Sequence, residues 1–260
     1  MIELARYEAR RRLRGSVILS VAVAAFAALV IWIYPSYSEA IDDAFLEELP
    51  TGMIRVFDIR TIATIEGFLA FELYIFGWII LLGLYLAYLG AGTVADDLER
   101  GRLEIWLSLP VSRSRTVLEK FLALSVPIFA VNVVTAVVVI VGSHLIDDPV
   151  AVADVVAVHA VSILYLYACA AIGLFASVLA DRVTIAQRLA LGVTFGLFLI
   201  ESLLVDTDYE DVGLVAPSRH FDPNEILLDG TVDAVSVAVL IAMTGLLVAA
   251  SVWWFRRRDV

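Results

Sequence analysis

Six long apolar runs, separated by short polar segments, dominate the chain. They cover residues 16–34, 68–92, 121–145, 155–180, 189–205 and 235–255. A hydrocarbon core about 30 Å thick is crossed by about 20 residues of helix, and in lipid every backbone polar group must be satisfied within its own segment. The pattern therefore predicts an all-α integral membrane protein, a six-transmembrane-helix bundle, as a single membrane domain over residues 1–260. The fifth run is the shortest of the six.

Short helices are predicted in the two longest segments on the far side of the bundle. After the first run, Ser38 is a candidate N-cap and Pro50 a stop, and the apolar positions between them recur at helical spacing. This pattern indicates a short amphipathic helix on the membrane surface. In the outer loop, residues 206–234, Asp222 and Glu225 have the spacing of a capping box and Gly230 is a terminator, which predicts a two-turn helix.

Basic residues predict the orientation, because lysine and arginine collect on the cytoplasmic side of a membrane protein. Fifteen of the 18 fall on the side that carries both termini and the segment between the second and third runs. They are Arg6, Arg10, Arg11, Arg12, Arg14, Arg100, Arg102, Arg113, Arg115, Lys120, Arg182, Arg188, Arg256, Arg257 and Arg258. The other side has only Arg55, Arg60 and Arg219. The first side is therefore predicted to be cytoplasmic, in a plasma membrane.

The net charge of −11 comes largely from the opposite side. Its acidic residues include Asp42, Asp43, Glu47, Glu48, Asp147, Asp148, Asp206, Asp208, Glu210 and Asp211. They would attract a cationic substrate, or they form a solvated, halophile-like acidic surface that high salt makes tolerable. The richness in alanine, valine and aspartate, with one lysine among 18 basic residues, favours the second interpretation.

No catalytic constellation is visible. The three histidines are scattered and have no metal-ligand spacing, and Cys169 is alone. The only lysine, Lys120, follows Glu119, so it cannot belong to a P-loop, which needs a lysine after glycine. We therefore predict that the chain is not an enzyme and has no metal, cofactor or nucleic-acid partner. Any use of ATP must belong to a partner protein.

Two polar residues inside the apolar runs are candidates for a substrate path, because buried polar groups in membranes are costly. Glu72 lies in the second run. It lines a path, or it snorkels to the interface or bonds a hydroxyl group of a neighbouring helix. Asn132 lies in the third run, where an interhelical hydrogen bond is favoured over a path.

Small residues mark possible close helix contacts. Gly83, Ala87 and Ala91 lie on one face of the second run, and Gly192 and Gly196 form a GxxxG pattern in the fifth. Either set would serve contacts within one bundle or contacts between subunits.

The most informative segment is residues 93–120, between the second and third runs, which contains ADDLERGRLEIWLSLPVSRSRTVLEK. Leucine and tryptophan side chains fall on one side of a short helix there, with charges around it, and Pro110 ends it. Such a helix docks into a partner or lies on the lipid. The residues alone leave both alternatives open.

This segment resembles the first cytoplasmic loop of ABC transporter permeases of the type-2 exporter family. The matching positions, in order, are Glu99, Gly101, Leu103, Glu104, Leu107, Leu109, Pro110, Ser112 and Arg113. The chain departs from the pattern at Arg102, where the family often has threonine. The resemblance extends over the whole chain: a basic lead-in, six spans, an acidic outer helix and a longer loop before the last span.

The resemblance implies a prokaryotic exporter permease, working as a homodimer or a pair of similar subunits on two cytoplasmic ATPase subunits that hold ATP and Mg²⁺. Residues 1–15 would be an interfacial lead-in helix and residues 93–120 the coupling loop. Its docking residues would be Leu103, Trp106 and Leu107 at the tip, Glu99, Arg102 and Glu104 at the rim, and Pro110 at the end. The alternatives are an ion-coupled transporter or channel, and a non-catalytic membrane anchor or assembly protein. The family moves lipids, polysaccharides, drugs and peptides, and no residue here selects among them.

The orientation is tested by thiol labelling in a Cys169→Ser background. Single cysteines are placed at Asp43, Asp148 and Asp211 on the acidic side, and at Ser114 and Asp259 on the basic side. The first three should react with an impermeant reagent on intact cells, and the last two only after lysis. Labelling of the Ser114→Cys variant on intact cells would invert the topology.

Overall fold

The computed structural model describes residues 3–40, 50–102, 112–205 and 207–258, and those residues form helices and connections without any strand. The helices are α1 (Glu3–Ala40), α2 (Thr51–Val56), α3 (Ile65–Glu99), α4 (Arg113–Leu145), α5 (Val152–Leu179), α6 (Val183–Leu204), α7 (Pro223–Leu228) and α8 (Ala234–Arg257). Six of them, α1, α3, α4, α5, α6 and α8, are long and apolar enough to cross a membrane. The predicted six-helix bundle is confirmed.

Three of the spanning helices are much longer than the apolar runs inside them. The 38 residues of α1 extend about 57 Å at 1.5 Å per residue, well beyond a hydrocarbon core of about 30 Å. The additional turns lie at the start of α1, the end of α3 and the start of α4. Because successive spans alternate in direction, these three extensions project from the same end of the bundle.

The lead-in predicted for residues 1–15 is not a separate element where it is described. From Glu3 the helix continues unbroken into the first apolar run. The N-cap predicted at Ser38 is wrong, because Ser38 lies inside α1 and its Oγ donates to the carbonyl of Pro35. The rest of that predicted outer helix, residues 41–49, lies outside the described residues. Pro50 caps the start of α2.

The two-turn helix predicted in the outer loop is confirmed as α7. Asp222 is its N-cap and accepts a hydrogen bond from the N–H of Glu225 at 3.0 Å, and Pro223 occupies the first helical position. The reciprocal half of the capping box is replaced, because the Glu225 carboxylate accepts from Thr231 Oγ1 at 3.0 Å. Gly230 follows with φ +66°, a conformation that glycine adopts at little cost.

The last span begins at a similar cap. Asp233 accepts hydrogen bonds from Ser236 and from the backbone N–H groups of Val235 and Ser236, and these bonds hold the pKa of Asp233 below its usual value. The negative charge lies at the positive end of the helix dipole, where it stabilises the first turn of α8.

The core is the packing of α5 against α3, where small residues let the two backbones approach closely. A Cβ built on Gly173 would lie 2.0 Å from the carbonyl oxygen of Ala87, and one on Gly90 would lie 2.2 Å from that of Ala170. Ala87 and Ala91 are fully buried, and Gly83 faces the Tyr165 hydroxyl group. The small face predicted in the second run therefore serves contacts within the bundle.

The outer helices are much less covered. Only 11% of the apolar stretch of α8 and 22% of that of α6 is buried, against 67% for α5. No atom lies within 4 Å of a Cβ built on Gly192 or Gly196. The GxxxG pattern of the fifth run makes no close contact with the rest of the described chain.

Inside α3, residues Ala70–Leu82 form a π-helix, in which each N–H bonds five residues back. The wider turn moves the side chains that follow it around the helix axis. The hydrophobic pattern does not predict the π-helix. The stretch is apolar on nearly every side, so the spacing of its apolar residues does not distinguish a π-helix from an α-helix.

We expect Gly173→Ala to lower the thermal stability of the detergent-solubilised chain by about 1–3 kcal/mol, because the added methyl group overpacks the α3–α5 contact. Gly245→Ala is the matched control. Gly245 lies in the middle of α8 with no atom within 4 Å of a built Cβ, so alanine there should be neutral or raise stability by up to about 1 kcal/mol. Equal melting temperatures for the two variants would contradict the close approach.

Candidate functional site at the basic end of the bundle

The projecting ends of α1, α3 and α4 meet one another, and we call this region the basic end. The N–H of Ala5 in α1 donates to Glu119 Oε2 in α4 at 3.0 Å. The end of α8 reaches the same place, since Arg113 donates to the carbonyl of Arg258 and Arg258 donates to that of Val178 at 2.7 Å. Polar contacts therefore join α1, α4, α5 and α8 at this end.

At the centre of the basic end is a buried ionic cluster, Glu8, Asp97 and Lys120, which we call the buried triad. Lys120 Nζ lies 2.5 Å from Asp97 Oδ2 and 3.1 Å from Glu8 Oε1. The side chains are 3% exposed for Lys120, 4% for Asp97 and 6% for Glu8. The triad connects α1, α3 and α4 through the only lysine of the chain.

Arg102 completes the charge balance. Its Nε lies 2.8 Å from Asp97 Oδ1, and it also pairs with Asp96. Asp97 therefore contacts two cations, Lys120 and Arg102. These contacts offset part of the cost of removing the charges from water. Arg102, predicted as part of the docking rim, is folded back against the end of α3.

Glu99, the other described rim residue, also has a contact within the chain. Its Oε2 accepts a hydrogen bond from the N–H of Val183 at 2.9 Å. Val183 is the first residue of α6, where the backbone N–H groups lack helical partners. Glu99 therefore caps α6 and joins the end of the second span to the start of the fifth.

The start of α4 is fixed in the same way. Ser112 is its N-cap and accepts from the N–H of Arg115 at 3.3 Å, and Arg115 Nε lies 2.5 Å from Glu119 Oε1. Both ends of segment 103–111 are therefore held by the basic end. The predicted docking residues Leu103, Glu104, Trp106, Leu107 and Pro110 lie outside the described residues.

A second polar network lies within the membrane. Asn132 Oδ1 accepts from Ser162 Oγ at 2.6 Å and from His159 Nδ1 at 2.9 Å, and the Tyr74 hydroxyl group lies 3.1 Å from His159 Nε2. With Nδ1 as the donor, Nε2 accepts from Tyr74, which is the arrangement of a neutral imidazole. Asn132 of α4 is thus hydrogen-bonded to α5, and His159 extends the network to Tyr74 of α3. Sequence reasoning missed His159, although a histidine in the middle of an apolar run is a signal of a buried polar contact.

Glu72 lies in the first turn of the π-helix and is partly buried. Its carboxylate has no hydrogen-bond partner among the described residues, so the hydroxyl bond considered from the sequence is not seen there. Glu72 and Asn132, the two predicted path residues, make no direct contact with each other in the described part of the chain.

The opposite end has its own polar cavity of about 400 Å³, and all three basic residues of that side line it. Arg60 lies 2.6 Å from Asp222 and 3.3 Å from Asp58, and Arg219 lies 3.9 Å from Glu201. These pairs connect the outer segments to α6 and α7.

A comparison with known protein families identifies the family of this chain. The family model of the ABC-2 family transporter protein matches residues 2–260. The chain belongs to the ABC-2 transporter family. It is the membrane permease component of an ABC transporter, and membership implies association with an ABC ATPase. None of the curated proteins compared with this permease matches it.

Removing one partner of the buried triad should be costly. Lys120→Met leaves Glu8 and Asp97 buried with one fewer cation, so we expect the permease to lose about 3–5 kcal/mol of stability, measured by thermal unfolding in detergent. Arg100→Met is the control, because Arg100 pairs with Asp96 at 2.7 Å but is 63% exposed, and an exposed pair contributes about 1 kcal/mol or less. If both variants lost similar stability, the buried triad would stabilise the permease no more than an exposed ion pair does.

Proposed function

We propose that the permease is the transmembrane subunit of an ATP-driven exporter, and that segment 103–111 is the coupling element that docks into the ATPase. The observation that supports this most directly is the buried triad. Asp97 precedes this segment, Lys120 follows it, and Glu8 joins both to the first helix.

A displacement of segment 103–111 would pass to several helices together. Its preceding end, at Arg102, is tied to the triad through Asp97, and its following end leads into α4, which carries Lys120. Glu8 adds α1 to the same cluster. Because a buried ion pair is expensive to separate, these three helix ends would move as one body. ATP binding would then favour one of two permease states through differential contact at this segment.

The orientation follows from the charge. Fifteen basic residues against three place the basic end on the cytoplasmic side, where the ATPase and its ATP are found. The acidic opposite end would face outward, and both termini would lie inside the cell.

A second permease copy would complete the transporter. Gly192 of α6 is exposed and Gly196 is half-buried, and together they offer a surface on which another helix can approach closely. The substrate path would then run between the two copies. The unpaired carboxylate of Glu72 is a candidate for its lining, and lipid would cover the remaining apolar surface.

The experiment uses the permease co-expressed with its ATPase. Trp106→Asp places a charge where an aromatic anchor is expected, so we expect loss of ATPase co-purification or of permease-dependent ATP hydrolysis. Trp106→Ala should cost about 2 kcal/mol or more of docking energy, roughly thirtyfold in local affinity.

Trp254→Asp is the matched control, since Trp254 lies near the same end, on the exposed surface of α8. It should leave ATPase association unchanged. If the Trp106→Asp variant binds the ATPase and supports ATP hydrolysis like the unchanged permease, segment 103–111 is not the coupling element.

A further inference from the structure

A second cavity of about 400 Å³ opens at the basic end, between α1, α3 and α6. Its walls include Arg11 and Arg12 from α1, Tyr88 and Asp96 from α3, and Gln187 from α6. Because the charged wall residues lie beyond the apolar runs and Tyr88 lies near the end of one, the cavity is at the level of the lipid headgroups.

The cavity carries unbalanced positive charge. The cations in and around it are Arg11, Arg12, Arg100, Arg102 and Lys120, and the carboxylates are Glu8, Asp96 and Asp97. All three carboxylates are already paired with Lys120, Arg100 or Arg102. Neither Arg11 nor Arg12 forms an ion pair among the described residues, although Glu8 and Asp97 attract Arg12 at longer range.

Arg12 is the residue that points to a ligand. Its Nε is buried and has no hydrogen-bond partner among the described residues. A buried N–H donor without a partner is unfavourable, so an acceptor in the cavity would satisfy Nε. Arginine binds phosphate oxygens, as it binds carboxylate oxygens, with two parallel hydrogen bonds, and the carboxylates of the cavity are already paired with other cations.

The cavity continues into an apolar stripe along α3. Leu81, Tyr85 and Tyr88 are exposed at spacings of four and three residues, which places them on one face of the helix. Tyr88 also lines the cavity. Because α1 packs mainly along α4 and makes only sparse contact with the 83–99 part of α3, this stripe is left uncovered by α1.

We propose that this cavity binds the phosphate group of an anionic phospholipid, with Arg12 as the principal ligand and an acyl chain along Leu81, Tyr85 and Tyr88. The arginines of the cavity would bind the phosphate, and the apolar stripe would contact the hydrocarbon chain. The site adjoins the buried triad, so the lipid would stabilise the junction of α1 and α3. The inference does not depend on the proposed function, because its test requires neither ATPase nor transport.

The test uses the full permease, delipidated in detergent. Phosphatidylglycerol is compared with diacylglycerol, which has the same chains without phosphate, and with inorganic phosphate, which has no chains. Binding is measured by native mass spectrometry and by the shift in melting temperature. Phosphatidylglycerol should bind and stabilise. Diacylglycerol should bind at least about tenfold more weakly, the factor expected for losing one charge-assisted hydrogen bond. Inorganic phosphate should also bind at least about tenfold more weakly, because it lacks the apolar contact of the chains.

Arg12→Gln should weaken phosphatidylglycerol binding by about tenfold or more and should leave the lipid-free melting temperature unchanged. Arg14→Gln is the control, because Arg14 is exposed on the same helix and does not line the cavity. If Arg12→Gln does not fold, Arg12→Lys should still lower lipid affinity, because lysine lacks the paired donors of arginine.

Three results would overturn the proposal. Equal lipid binding by the Arg12 and Arg14 variants would remove Arg12 from the site. Inorganic phosphate binding as tightly as phosphatidylglycerol would assign the cavity to a free anion instead of a lipid. A lipid-free melting temperature lowered by Arg12→Gln but not by Arg14→Gln would show that Arg12 pairs within the chain.

Discussion

The burial of the only lysine between two carboxylates is the constraint on which the basic end depends. Moving Lys120 away from Asp97 and Glu8 would leave buried charges without a partner, which is costly. The ends of α1, α3 and α4 are therefore held in one arrangement. Arg102 adds the second cation and ties the start of segment 103–111 to the same cluster. A lipid-facing bundle has little hydrophobic driving force between its helices, so a polar junction outside the hydrocarbon core is an effective way to fix their relative positions.

The rest of the bundle divides into a tight part and a loose part. Glycine and alanine bring the backbones of α3 and α5 together, and the Asn132–His159–Tyr74 network adds α4. In contrast, α6 and α8 are mostly uncovered, and the glycines of α6 touch nothing in the described chain. The bundle therefore combines a closely packed core with outer helices whose surface is free for other contacts.

Much of the candidate site was visible in the sequence, but not how its residues are used. Glu99 and Arg102 were found by pattern and placed at a docking rim, whereas the structure gives Glu99 to the start of α6 and Arg102 to Asp97. In the sequence, Lys120 counts only among the basic residues of its side and as evidence against a P-loop, and nothing there distinguishes Glu8. These residues lie 23 and 112 positions from their partners in the chain, and no local periodicity reports a contact over such distances.

The sequence by itself determined the number of spans, their approximate limits, the cap of α7 and the separation of basic from acidic ends. These features follow from local rules: the length of an apolar run, the spacing of a capping box, and the side on which each charge falls. Only the tertiary structure decided that three helices extend beyond the membrane to meet at the buried triad, that the small face of α3 packs on α5, and that Arg12 Nε has no hydrogen-bond partner in the described part of the chain. Each depends on which helices become neighbours, and in nearly uniform apolar segments the hydrophobic pattern does not specify which faces meet.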